Sequence, residues 1–167
     1  MPVKIFLTLI VVTLILSSCG YQIVKERGLY SGEIKSIYLS GFRNETFDPH
    51  ISMYVTQAFS SELISLGIFD INRPAFDAKL EGLIRKITVT PRTLDKRGFA
   101  LEKNLEMELE ISLTAKDGTL IKRWLLTDTE IFRADNPNYE DYYKREAIQR
   151  AAAKIARRFS SLILMEY

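Results

Sequence analysis

Three glutamates stand at alternate positions, Glu106, Glu108 and Glu110, and carboxylates gathered together can act as acid and base or hold a Ca²⁺ ion. On a strand, though, alternate residues put same-face side chains about 7 Å apart, and three like charges in a row repel. The expectation is therefore a solvated strand face, countered by cations on neighbouring strands such as Lys122 and Arg123. The one histidine, His50, falls at the first turn of an expected helix, where a surface position is the default. No two-histidine metal motif, phosphate-cradling glycine loop or nucleophile elbow occurs. No catalytic residue and no metal ligand is assigned.

The cations are more suggestive. Arg92, Lys96 and Arg97 fall within residues 90–98, read as a connecting loop with a turn at Gly98, and Arg133 closes the last expected strand. Loops on a rigid sheet are where binding residues concentrate, and the planar arginine fork suits bidentate pairing with phosphate. These four residues are the candidate anion site. Over the whole chain 23 Lys plus Arg face 21 Asp plus Glu, a net charge of +2, so bulk charge implies no nucleic-acid partner.

Cys19 is the only cysteine, which excludes an intrachain disulfide or thiolate cluster. It follows Lys4, an apolar run from Ile5 to Leu16, and Ser17-Ser18, the order of a basic region, a short apolar region and a small-residue cleavage site. A run of this length rises about 18 Å as a helix, short of the roughly 30 Å hydrocarbon core. Leu16-Ser17-Ser18-Cys19 resembles the bacterial lipobox. That resemblance implies cleavage after residue 18 and a diacylglyceryl thioether plus an N-acyl chain on Cys19, with no other cofactor. More than one acyl chain is what durable anchoring needs. Gly20, rather than aspartate, stands beside that cysteine, and resemblance to bacterial lipoprotein sorting signals then implies the outer membrane, on its periplasmic side. The expected organisation is a cleaved signal over residues 1–18, a lipidated tether over 19–32 and one domain over 33–167.

Elements that would position the cations follow from periodicity. Residues 34–42 are rich in β-formers, and Asp48-Pro49 offers an N-cap followed by proline at the first helical position. Ile51, Val55, Phe59 and Leu63 then recur every fourth residue up to a C-capping Gly67. Phe69-Asp70-Ile71 reads as a short strand, so a parallel crossover is expected. Residues 78–90 form a longer strand with apolar residues on both faces, as if both were covered. From Leu105 to Leu113 the alternation is clean, and Asp117-Gly118 turns the chain into a returning strand, 120–132. Residues from Tyr139 onward form a second helix after Asn136-Pro137. The simplest layering is an α+β fold with two helices on one face of a mixed, mostly antiparallel sheet.

In order and spacing these features resemble the LptE family, lipopolysaccharide-assembly lipoproteins of the outer membrane. The likeness rests on Cys19-Gly20-Tyr21, on Ile34-Lys35-Ser36-Ile37-Tyr38-Leu39 leading to Phe42-Arg43-Asn44-Glu45-Thr46, on Glu62-Leu63-Ile64 and on Leu80-Glu81-Gly82. The Arg97-Gly98 turn and the segment Arg150-Ala151-Ala152-Ala153-Lys154-Ile155-Ala156 complete it. The resemblance implies a four-stranded sheet and a non-enzymatic role: plugging and helping to assemble the LptD β-barrel, and binding lipopolysaccharide during its insertion into the outer leaflet. It also implies that basic loop residues meet the lipopolysaccharide, with Arg97 matching best and Lys96, Arg92 and Arg133 nearby. The long polar tail of some members does not follow the last helix here. Phe42-Arg43-Asn44-Glu45-Thr46 and its helix also look like the opening of lipoproteins that activate penicillin-binding cell-wall synthases, the alternative reading.

Overall fold

The computed structural model describes residue 29 and residues 32–68, 70–72 and 74–165. The expected signal, Cys19 and most of the tether lie outside the described residues. The chain runs β1 (Ser36–Leu39), β2 (Arg43–Asn44), α1 (Ile51–Leu66), β3 (Asp70–Ile71), β4 (Ala78–Leu94), β5 (Ala100–Ala115), β6 (Leu120–Arg133) and α2 (Pro137–Leu164). All six strands share one sheet in the order β3-β1-β4-β5-β6, with β2 also paired to β4. The sheet thus has six strands rather than the four expected.

Two very short strands account for the difference. After Leu39 the chain steps out of β1 and returns for two residues, so Arg43 and Asn44 pair in parallel with Leu83 and Ile84; such a stub shows no periodicity in sequence. β3 is equally short and pairs in parallel with β1. The parallel crossover from β1 through α1 to β3 is present as expected, and β1 is also parallel to β4. β4, β5 and β6 form the antiparallel meander.

The double-faced pattern of β4 has a physical resolution. Leu80 and Ile84 pair with Leu113 and Leu109, whereas Ile87 and Val89 pair with Met107 and Leu105, and a register shift separates Ile84 from Lys86. A bulge inserts one residue and reverses which face the later residues occupy. The apolar positions before and after it therefore share the helix-covered face. Only one face is covered, and Arg85, the extra residue, is exposed.

Leu105, Met107, Leu109, Ile111 and Leu113 are fully buried, joined in one core by Ile51, Val55, Phe59 and Leu63 of α1 and by Ile148, Ile155, Phe159 and Ile163 of α2. A chain of rings ties the layers together: Phe42 lies 4.6 Å from Phe59, Phe59 5.5 Å from Phe159, and Phe159 5.2 Å from Trp124. Phe42 packs closely on Gly82 of β4. A Cβ at Gly82 would stand 2.1 Å from its ring, so glycine is required there by close approach.

Both helices are bounded by local chemistry. α1 ends at Gly67 with φ 63°, the left-handed cap glycine tolerates. Its start differs from expectation: His50 holds the cap position without a side-chain bond, while Asp48 accepts from the His50 amide at 3.1 Å. α2 begins at Pro137, two residues earlier than expected, with Asn136 accepting from the Asn138 amide at 3.0 Å. Against α2, the buried Glu130 of β6 receives Arg150 at 3.0 Å and Lys154. Burial pushes its carboxyl up, but these cations outweigh that and hold it below the usual value.

β1, β4 and β6 all run the same way. Their starts, near the Leu29–Ile34 bridge, form the base of the domain, and the β4–β5 turn forms its tip.

Candidate functional site

At the tip, β4 outruns β1 and β2 on its outer edge while β5 stays paired to its end. β2 ends its pairing at Ile84, and from Lys86 to Leu94 the outer edge of β4 carries no strand among the described residues. Pro91 fits such an edge, where a missing N–H is harmless. Consequently residues 90–94, expected as loop, are strand, and β5 begins at Ala100 rather than near Leu105. The true turn is residues 95–99.

Asp95 builds that turn. Its Oδ1 accepts from the amides of Arg97 at 2.8 Å and Phe99 at 2.9 Å, its own amide donates to the Phe99 carbonyl at 2.8 Å, and Gly98 adopts φ 86°. An aspartate turn of this kind holds the intervening backbone in one shape, which thrusts Lys96 and Arg97 outward. Neither side chain forms an ion pair or hydrogen bond among the described residues, and both are exposed. Sequence reading placed these cations but missed Asp95, although Asp-x-x-Gly is itself a turn signal.

All four candidate cations come to this one end, in two states. Arg92 stands 3.9 Å from Glu102, which also accepts from Thr93 Oγ1 at 3.1 Å. Arg133 is opposite Glu102 across the β5–β6 ladder but is committed elsewhere: it donates to Asp135 at 2.6 Å and lies 5.7 Å from the Tyr143 ring. That bond holds the Asp135 carboxyl below the usual range and the Arg133 guanidinium above its own. Lys96 and Arg97 are thus the cations with unused charge, while Arg92 and Arg133 are partly neutralised.

Apolar side chains surround them. Phe99 is 68% exposed and Leu94 54%, so the tip pairs cations with greasy groups. On the helix side a cavity of about 360 Å³ is lined by Asp95, Phe99, Leu101, Lys103, Asp135 and Glu140. Its one cation, Lys103, is bound to Glu140. Its other charged groups are carboxylates, whereas the outer side of the turn carries Lys96 and Arg97.

The glutamate row is a wet strand face, as expected, with partly different counter-charges. Arg85 reaches Glu108 at 3.5 Å and Glu110 at 3.0 Å, and Arg123 meets Glu110 at 3.2 Å. Lys122 is on the opposite face, 5.7 Å from the Trp124 ring. Arg85 was illegible in sequence because only the bulge turns it toward the glutamates. Among the described residues no group of three His, Cys, Asp or Glu could hold a metal, and no helix is long and apolar enough to cross a membrane.

A family model described as LptE, lipopolysaccharide-assembly, matches residues 34–161. The chain belongs to the LptE family. LptE proteins are non-catalytic assembly lipoproteins, and this one is accordingly not an enzyme but a lipid-anchored protein of the outer membrane, facing the periplasm. Its single cysteine accords with the N-terminal lipidation site typical of LptE proteins. No curated protein sequence matches the chain. Among solved structures, rare lipoprotein B from Shewanella oneidensis is similar with 14% identity and a TM-score of 0.51, covering 78% of this chain and 99% of that one. A hypothetical protein from Chlamydia trachomatis has 8% identity and a TM-score of 0.58, with coverages of 79% and 96%. A minor lipoprotein from Acinetobacter baumannii has 16% identity and a TM-score of 0.50, with coverages of 80% and 93%. Identities this low establish the fold alone.

Proposed function

We propose that this LptE protein is anchored through acyl chains on Cys19, lodges inside an LptD-like β-barrel, helps that barrel assemble, and binds lipopolysaccharide with the β4–β5 tip. The observation that carries the reading is the pair of unpartnered cations, Lys96 and Arg97, set by the Asp95 turn among exposed apolar groups. A lipid A headgroup offers the matching chemistry, phosphates beside acyl chains.

The dimensions support the same reading. Ten residues separate Cys19 from Leu29, a reach of at most about 35 Å, and Leu29 sits at the base. β4 extends about 50 Å from base to tip, more than the roughly 30 Å hydrocarbon core. A domain held in a barrel with its base at the inner leaflet therefore carries its tip to the outer leaflet, where lipopolysaccharide is inserted.

The test is charge reversal, Lys96→Glu with Arg97→Glu, in the lipidated protein. Lipopolysaccharide binding is expected to weaken at least tenfold with no change in melting temperature. Unchanged binding removes the tip from the site. Purification of the lipidated protein should bring down a detergent-resistant β-barrel; recovery of a cell-wall synthase instead replaces the plug reading with the activator one.

A further inference from the structure

The open face of the sheet holds a second cleft, far from the tip. Its volume is about 260 Å³, and Arg43, Glu81, Glu110, Ser112, Thr114 and Arg123 line it. The relief has a simple origin. Short hydroxyl residues on β5, Ser112 and Thr114, make the floor, while long side chains on the neighbouring strands make the walls. Arg43 enters from β2 beside Leu83, and Arg123 from β6 beside Ser112. Three strand spacings of about 4.8 Å and a two-residue offset along the strands put the two arginines' backbones roughly 16 Å apart, so their side chains can reach inward from opposite rims.

The polar groups there are incompletely used. Among the described residues Arg43 forms no ion pair and no side-chain hydrogen bond, and Arg123 engages Glu110 only through Nε, at 3.2 Å. Glu81 is paired with Lys79 at 2.7 Å, and Glu110 with Arg85 at 3.0 Å. A bare anion centred in the cleft would face those two carboxylates. A ligand carrying its charge at one end and hydroxyls at the other avoids the conflict: the acidic group meets an arginine fork, and the hydroxyls donate to the glutamates and exchange bonds with Ser112.

We infer that this cleft binds an acidic sugar unit, a monosaccharide bearing a carboxylate or phosphate, held by Arg43 and Arg123 over the Ser112 floor. Ten residues along β5 separate Ser112 from Glu102 at the tip, about 33 Å. The cleft is therefore a separate site, and its occupancy does not depend on what the tip binds.

The experiment uses the full lipidated chain in detergent micelles. The arginine Nε–H signals of Arg43 and Arg123 are followed by NMR while glucuronate or glucose 6-phosphate is added, with glucose and inorganic phosphate as controls. Saturable shifts with both acidic sugars are expected, at least tenfold weaker in Arg43→Gln and in Arg123→Gln, with melting temperature confirming that both variants fold. The Lys96→Glu, Arg97→Glu protein should bind the acidic sugars unchanged, which separates failure here from failure at the tip. Lack of saturation with both acidic sugars overturns the assignment. So does unaltered affinity in Arg43→Gln, or inorganic phosphate binding as tightly as the sugar phosphate.

Discussion

Replacing Gly82 by alanine should unsettle the seam that fixes β2 to β4. The added Cβ would stand 2.1, 2.2 and 2.5 Å from three atoms of the Phe42 ring, and that ring is aromatic carbon packed in the core rather than a flexible chain end. Relief requires moving either β4 or the ring. Overpacking of this sort costs about 1–3 kcal/mol, and displacing Phe42 from its partner Phe59, 4.6 Å away, forfeits about 0.5–1.5 kcal/mol more. Gly82→Ala should therefore destabilise by roughly 1.5–4.5 kcal/mol. In a Phe42→Ala background the clash is absent, and alanine should even recover about 0.5–1 kcal/mol of backbone entropy relative to glycine. Urea unfolding, followed by the fluorescence of Trp124, the chain's one tryptophan, gives both numbers as midpoint shifts at constant slope. A cost below 0.5 kcal/mol in the native background, taken roughly as the noise of an ordinary surface substitution, would refute the reasoning. An equal cost in both backgrounds would refute it too, since the penalty would then lie in the backbone and not in the contact.

Two other expectations concern charge. Burial, with Glu130 adding like-charge repulsion, raises the Asp128 carboxyl above its usual value despite Lys154, and its Oδ2 finds no hydrogen bond among the described residues. A carboxyl raised on folding binds its proton more tightly in the native state, so the protein loses stability as pH climbs through the raised value; Asp128→Asn should thus raise the melting temperature near neutral pH, where an ordinary carboxyl is ionised, with the gap closing on acidification, and a constant gap at every pH would contradict this. Glu106 and Glu108, which lie outside the cleft, changed together to Gln should leave outer-membrane permeability unchanged in cells; a permeability defect with a normally folded protein would reopen a direct role for those two.

Much of the meander was legible because one face of β5 is buried and the other wet, which writes a two-residue period into Leu105 to Leu113. The Asp117-Gly118 turn and the Gly67 cap were equally plain, since each needs a backbone shape that few residues adopt. What escaped was whatever depends on pairing rather than on local pattern. Arg43 and Asn44 are a strand only because Leu83 and Ile84 offer their edge. The end of β4 looked like loop because Pro91, Arg92 and Thr93 lie on an unpaired, exposed edge where nothing selects for alternation. The bulge at Arg85 hid a regular face behind an apparent change of phase. At the tip, residue types sufficed to find Lys96 and Arg97, yet not to tell that Arg133 is already occupied by Asp135.

The parallel pairing of β1 carries a consequence for how the chain is made. Ser36 finds Asp70 and Ile37 finds Ala78, so the first strand waits more than thirty residues for one neighbour and some forty for the other, whereas β4 and β5 close on each other across a five-residue turn. Contacts distant along the chain form late because loop closure must be met before they give anything back. An exported polypeptide emerges N-terminus first, and the apolar stripe of α1 then waits in water for its cover. The β4–β5 hairpin can therefore close while β1 still lacks both of its neighbours, so the strand made first is among the last to be fitted into the sheet.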